Sequence, residues 1–283
     1  MPFGILRMTG GGFYARTNRD AKDRYEGLIL GDAQYGRGSA TWNPTGVVEL
    51  AGGAITNNGL LIAGCGGGFG RVTQSGGAFV QLQPSRRAVI GFKGGTGLYE
   101  ISGGTARFES EVFVGGAPTN RLDRYVATIA DTHPGRGTLR VTGGVFEAKR
   151  PLSVSLDGAG AVEIGADGLL KATDLVLASS VDGTDAATTY PAQLTFRPGA
   201  ATGGRIEVSG KLTVAADARL TVDLADYASR KSLQLATYAA REGAFAPENV
   251  TILPETAARR FAVVQSETGI RLCSSSGTCG IFR

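Results

Sequence analysis

A short glycine-punctuated motif returns along this chain and limits what it can fold into. It reads LRMTGGGF at Leu6–Phe13, VELAGGAI at Val48–Ile55, VTQSGGAF at Val72–Phe79, YEISGGTA at Tyr99–Ala106 and LRVTGGVF at Leu139–Phe146. Weaker copies are VEIGADGL from Val162 and IEVSGKL from Ile206. Each copy sets apolar residues two apart, then a polar residue, a Gly-Gly corner and a second apolar run. A spacing of two is strand spacing, because successive side chains leave a strand on opposite faces. The paired glycines permit a positive φ, where a side chain would clash. One copy is therefore a strand, a sharp bend and a strand. Its recurrence marks stacked repeats, in which each unit buries its apolar side against the next.

A second element alternates with the first: an apolar-x-apolar-Gly strand. It appears as Leu28-Ile29-Leu30-Gly31, Leu61-Ile62-Ala63-Gly64, Ala88-Val89-Ile90-Gly91 and Val112-Phe113-Val114-Gly115. Three short strands per repeat predict an all-β chain, one coil of a parallel β-helix per repeat, stacked at about 4.8 Å. Right-handedness follows from the general rule for parallel crossovers. Inward columns are expected to be Leu6, Val48, Val72, Tyr99, Leu139, Val162 and Ile206; then Met8, Leu50, Gln74, Ile101, Val141, Ile164 and Val208. Beyond the corner come Phe13, Ile55, Phe79, Ala106 and Phe146. Gln74 breaks the apolar rule and needs a partner if buried. The row between the first two columns, Arg7, Glu49, Thr73, Glu100, Arg140, Glu163 and Glu207, is expected to face outward.

From about Leu212 the glycine rhythm fades and the alternation lengthens: Leu220, Val222, Leu224; Leu233, Leu235; Phe261, Val263; Ile270, Leu272. Residues 1–211 are read as the right-handed parallel β-helix. Residues 212–283 are read as a β-rich C-terminal cap of antiparallel hairpins, since the last coil otherwise exposes an open strand edge.

Composition removes other classes. The 44 glycines have no three-residue period, so a collagen helix does not fit. No apolar run reaches the roughly 18 residues of a membrane span. A net charge of +4 over 283 residues is mild, and no RNA-recognition, zinc-finger or basic-helix pattern points to nucleic acid. With one histidine, His133, and three cysteines, no zinc spacing arises. The glycine stretches lack G-K-[ST] and carry no carboxylate, so neither a phosphate loop nor a calcium roll is expected. We expect no cofactor, no metal and no catalytic residues. Cys273 and Cys279 bracket a loop that can close as a disulfide in an oxidising compartment, with Cys65 a small buried side chain. Met1 is followed at once by a strand unit rather than a basic start and an apolar stretch, which reads as a segment of a longer chain.

One long-range duplication stands out. Thr17-Asn18-Arg19 returns as Thr119-Asn120-Arg121, Asp23-Arg24-Tyr25 as Asp123-Arg124-Tyr125, and Gly36-Arg37-Gly38 as Gly135-Arg136-Gly137. Guanidinium forks grip carboxylate or sulfate in bidentate fashion, and tyrosine stacks on a sugar face. The candidate ligand-binding residues are therefore Asn18, Arg19, Asp23, Arg24, Tyr25, Asn120, Arg121, Asp123, Arg124 and Tyr125, on two projecting loops expected to share one face. The bland alternative is that Asp and Arg pair with each other and Tyr packs over the coil.

The alternation of the two glycine motifs over Leu6 to Leu212 resembles the passenger regions of bacterial autotransporter-type proteins, including their strand-repeat members. That resemblance implies a secreted or outer-surface β-helical scaffold, adhesive and non-enzymatic, with a glycan or a host or cell-surface ligand as partner. It implies a monomer or part of a longer chain. It brings no catalytic residues. The competing readings are a carbohydrate-active lyase or hydrolase acting on acidic polysaccharide, and a purely mechanical stalk.

Overall fold

The computed structural model describes residues 3–15, 27–32, 44–118, 133–181, 187–229 and 231–275. These residues form an all-β protein with extensive parallel sheets. The described helical segments are one 3-10 turn at Pro247–Asn249 and one α-turn at Glu255–Ala258.

Three ladders organise the strands. Four long strands run through a glycine corner: β1 (Phe3–Ala15), β3 (Thr45–Asn57), β11 (Gly135–Ala148) and β13 (Gly158–Ala172). Elsewhere the same path is broken at the corner, giving β5 (Phe69–Gln74) with β6 (Ala78–Gln81), and β8 (Thr96–Ile101) with β9 (Thr105–Phe108). Before the corner the parallel order is β1, β3, β5, β8, β11, β13, then β17 (Gln193–Phe196), β20 (Arg219–Asp223) and β23 (Val250–Leu253). After it the order is β1, β3, β6, β9, β11, β13, then β18 (Arg205–Val208) and β21 (Leu233–Thr237). The third ladder stacks β2 (Gly27–Asp32), β4 (Leu60–Cys65), β7 (Ala88–Phe92), β10 (Val112–Val114), β12 (Leu152–Val154), β14 (Leu175–Leu177), β19 (Lys211–Val214) and β22 (Ala240–Glu242), all parallel. The chain visits the ladders in rotation, one circuit after another.

The expected columns are in register through six circuits: Leu6, Val48, Val72, Tyr99, Leu139 and Val162 are direct partners. Ile206 and Val208 are the correction. They pair with Leu170 and Ala172, after the corner, and the first two columns continue instead through Leu194 and Phe196. Glu207 leaves the outward row for the same reason, and Thr195 takes its place beside Glu163. The corner of that circuit is Gly203-Gly204, which follows β17 and stands just before Arg205, so Ile206-Glu207-Val208 lies after it. The same circuit also carries an antiparallel pair, β15 (Ser179–Val181) with β16 (Thr189–Pro191). Parallel pairing also runs past residue 212, to β22 and β23. Among the described residues beyond 212, antiparallel closure involves β24 (Phe261–Gln265) and β25 (Gly269–Ser274), with β25 laid against β21. Alternation of period two is common to both pairings, so it could not separate them.

The third ladder differs from the other two. β4, β7, β10 and β12 are buried on both sides. Leu60, Ile62, Cys65, Val89, Phe92, Phe113 and Ala117 form a second buried cluster apart from the main core. A strand covered on both faces reads as a continuous apolar run, which is why LLIAGC and AVIGF lack polar alternation.

The main core is filled by rings. Phe108 stacks on Phe146 at 4.9 Å and on Phe79 at 5.6 Å, while Tyr99 meets Phe146 edge-on at 5.4 Å. Tyr99 is wholly buried, and burial pushes its phenol well above the ordinary value of 10.0. It stays neutral and donates to Gln74 Oε1 at 3.0 Å. Gln74 Nε2 in turn donates to the carbonyls of Gly77 (3.2 Å) and Thr105 (2.9 Å). The one polar residue in the three expected columns is thus satisfied by Tyr99 and by the carbonyls of Gly77 and Thr105. We predict that Tyr99→Phe costs about 1–3 kcal/mol by orphaning the Gln74 carbonyl oxygen. The double variant Gln74→Leu/Tyr99→Phe, with neither group left unpaired, should recover part of that loss in urea unfolding.

Candidate functional site

All ten sequence-predicted ligand residues, Asn18, Arg19, Asp23, Arg24, Tyr25, Asn120, Arg121, Asp123, Arg124 and Tyr125, lie outside the described residues. Their flanking strands are described. The first set leaves the ladders between β1 and β2, at the turn from the second ladder to the third. The second leaves between β10 and β11, at the turn from the third ladder to the first. His133 is exposed just before β11. Cys65 is a buried thiol, and Cys273 is disulfide-bonded. Cys279, expected as its partner, lies outside the described residues.

The outer side of the first ladder carries a chain of ion pairs. Glu100 takes Arg71 and Arg140, each at 3.3 Å. Arg140 also reaches Glu163 at 2.8 Å, Arg197 holds Glu163 at 2.9 Å, and Arg197 touches Asp223 at 3.6 Å. Parallel in-register stacking brings opposite charges from successive circuits side by side. Glu163, then burial and Glu100, set the Arg140 guanidinium, whose net shift is upward. The expected outward row contained Glu100, Arg140 and Glu163 but missed Arg71, Arg197 and Asp223. These sit two positions before or after the row, and a search for charges at that offset would have found them. On the second ladder Glu207 accepts from Arg205 at 2.8 Å and pairs with Lys171 at 3.5 Å.

Beyond Glu163 the row turns neutral, with Thr195, Thr221 and Thr251 in register. There a cleft of ≈ 380 Å³ is lined by Gln193, Arg219, Thr221, Glu248, Asn249 and Thr251. Asn249 is held by its Nδ2 donating to the Ala216 carbonyl at 3.0 Å. The cleft offers a guanidinium, a carboxylate, hydroxyls and amides, which suits a hydroxylated, anionic ligand. Glu248 is the one carboxylate among the described residues that line it. A larger cleft, ≈ 520 Å³, lies between Tyr227, Arg260, Phe261 and Ser274. Its walls are tied together: Tyr227 meets Phe261 edge-on at 5.8 Å, and its hydroxyl donates to the Lys231 carbonyl at 2.7 Å.

No group of three or more His, Cys, Asp or Glu that could hold a metal ion occurs among the described residues. No described helix is long and apolar enough to cross a membrane. No family model, curated protein or solved structure matches this chain.

The pH dependence of the charged rows can be given a sign. Hydrogen bonding from Arg205, aided by Lys171, holds the Glu207 carboxyl below its ordinary value of 4.5. Its stabilising share is complete above that value and is lost as pH falls through the lowered one. We predict that Glu207→Gln flattens the acid limb of stability against pH while changing neutral-pH stability by less than about 1 kcal/mol, because the pair is partly solvated. A thermal-melt series from neutral to strongly acidic pH checks both.

Proposed function

We propose that this chain is a right-handed parallel β-helix, secreted or displayed on the outer cell surface, that serves as an adhesive scaffold rather than an enzyme. One circuit through the three ladders is one coil in this reading. The observation that carries it is the ladder of ion pairs from Arg71 to Asp223. Along this row the outward charges are spent on neighbouring circuits over a regular surface, which is how a repeat protein presents an extended face. The disulfide at Cys273 supports an oxidising compartment. The glycine alternation resembles autotransporter passenger regions, and the duplicated segments with Arg24 and Arg124 are the proposed contacts for an anionic glycan or cell-surface ligand.

The second reading is a carbohydrate-active enzyme. The cleft of Arg219 and Glu248 favours it, since both groups suit an acidic sugar. One experiment separates the readings. The purified chain is incubated with a panel of acidic polysaccharides, with bound polymer and released reducing or unsaturated ends both followed. The scaffold reading predicts salt-sensitive binding without product, weakened by Arg24→Ala/Arg124→Ala. Product formation would establish the enzyme instead, and absence of binding to every polymer would leave a mechanical stalk.

A further inference from the structure

Arg219 repeats a setting that the chain uses earlier, with one member changed. Arg71 and Arg219 stand in the same row of the first ladder, joined in register through Leu98, Thr138, Ala161 and Gln193. Arg71 Nε donates to the Thr73 hydroxyl at 2.7 Å, and its Nη2 reaches the Glu100 carboxylate of the next circuit at 3.3 Å. Glu100 is within reach because it is the direct partner of Thr73. Arg219 has the same threonine after it, Thr221, but the direct partner of Thr221 is Thr251. A hydroxyl stands where the carboxylate would be.

The row itself supplies no substitute. The neighbour of Arg219 on one side is Gln193, and on the other Asn249 stands just before Val250, the partner of Leu220. Both are neutral amides. Arg71, Arg140 and Arg197, on the same outer side, each hold a carboxylate from another circuit. Arg219 holds none among the described residues. Glu248 lines the same cleft of ≈ 380 Å³ and is not paired with it. An exposed cation and an exposed anion thus face one cleft, each without a charged partner.

We propose that this cleft is a socket for the carboxylate of an acidic sugar, which takes at Arg219 the place that Glu100 takes at Arg71. The guanidinium fork grips the two carboxylate oxygens. The Thr221 and Thr251 hydroxyls donate to the same group, and Glu248 accepts from the ring hydroxyls beside it. A uronate fits because it carries one planar charge per ring, flanked by hydroxyl donors. Glu248 disfavours a more densely charged ligand by repulsion. The choice of a sugar rests on the acidic-glycan reading of the function; the missing carboxylate at Arg219 does not.

Isothermal titration of the full chain with the trisaccharides of galacturonate, glucuronate and mannuronate, each beside its methyl ester, tests this. At least one acid should bind, and its neutral ester should bind at least tenfold more weakly. Arg219→Gln removes the cation, and Thr251→Glu supplies the missing carboxylate from within the chain. Each should weaken binding of the acid at least tenfold. Thr251→Glu should also keep the parent circular dichroism and melting temperature, since it rebuilds the arrangement of Arg71, Thr73 and Glu100. Arg71→Gln, which removes the same charge from a paired position of the same row, should bind as the parent does. A parent chain that binds none of the acids overturns the proposal. So does binding that either cleft variant leaves intact, and so does an equal loss in Arg71→Gln, which would put net charge in place of the socket. The duplicated segments are judged apart from this, by Arg24→Ala/Arg124→Ala with whole polysaccharide, so the scaffold reading and the socket fail separately.

Discussion

Backbone-to-backbone contact at glycine is the constraint on which the rest of this structure depends. Gly46, Gly70, Gly97, Gly137 and Gly160 are direct partners up the first ladder. Each lies against a turn of the third ladder. A Cβ on Gly46 would sit 2.6 Å from the Gly31 nitrogen, and one on Gly97 would overlap the Ala63 carbonyl and the Gly91 nitrogen. The turn glycines are therefore pressed against the strand glycines, and the third ladder is drawn onto the first. Where that turn residue is Ser155, it holds the same conformation, φ 57°. Its hydroxyl bonds the Gly160 amide and carbonyl, at 2.8 and 3.2 Å, so a side chain is tolerated because it satisfies the backbone it faces.

Close approach at the corners fixes the register, and the register decides what meets inside and outside. Inside, it stacks Phe79, Phe108 and Phe146 and hands Gln74 its tyrosine partner. A similar solution serves the turn after the second ladder. Buried Asn57 donates to the carbonyls of Gly59 and Leu60, and buried Gln81 donates across to Gly59. Amide side chains there replace the strand partners that the turning backbone lacks. Outside, the same register sets Glu100, Arg140 and Glu163 side by side. Each of these partly solvated pairs is worth little alone; their value is in neutralising a repetitive surface.

Much of this was legible in the residues. The Gly-Gly corners and the inward columns from Leu6 to Val162 follow from spacing alone, because a strand's period and a glycine's freedom are local properties. Legibility stops where the signal stops being local. IEVSG at Ile206 has the letters of a pre-corner strand, yet it stacks after the corner formed by Gly203-Gly204, and which of the two flanking glycine stretches is the corner depends on the partner circuit. Burial of Phe113 on the outer side of the third ladder depends on what is laid over it, which a short apolar run does not reveal. The proposed ligand loops were visible only as a duplication. In the sequence one copy falls between β1 and β2 and the other between β10 and β11, an order of strands that the duplicated residues do not encode.

The most direct test of the central constraint is the thermal and urea unfolding of Gly97→Ala. Gly97 is not in a left-handed conformation, so any loss reports the close approach to Ala63 and Gly91 and not backbone strain. The account predicts a loss of more than about 3 kcal/mol, at the upper end of single-substitution effects. Stability within about 0.5 kcal/mol of the parent would contradict it.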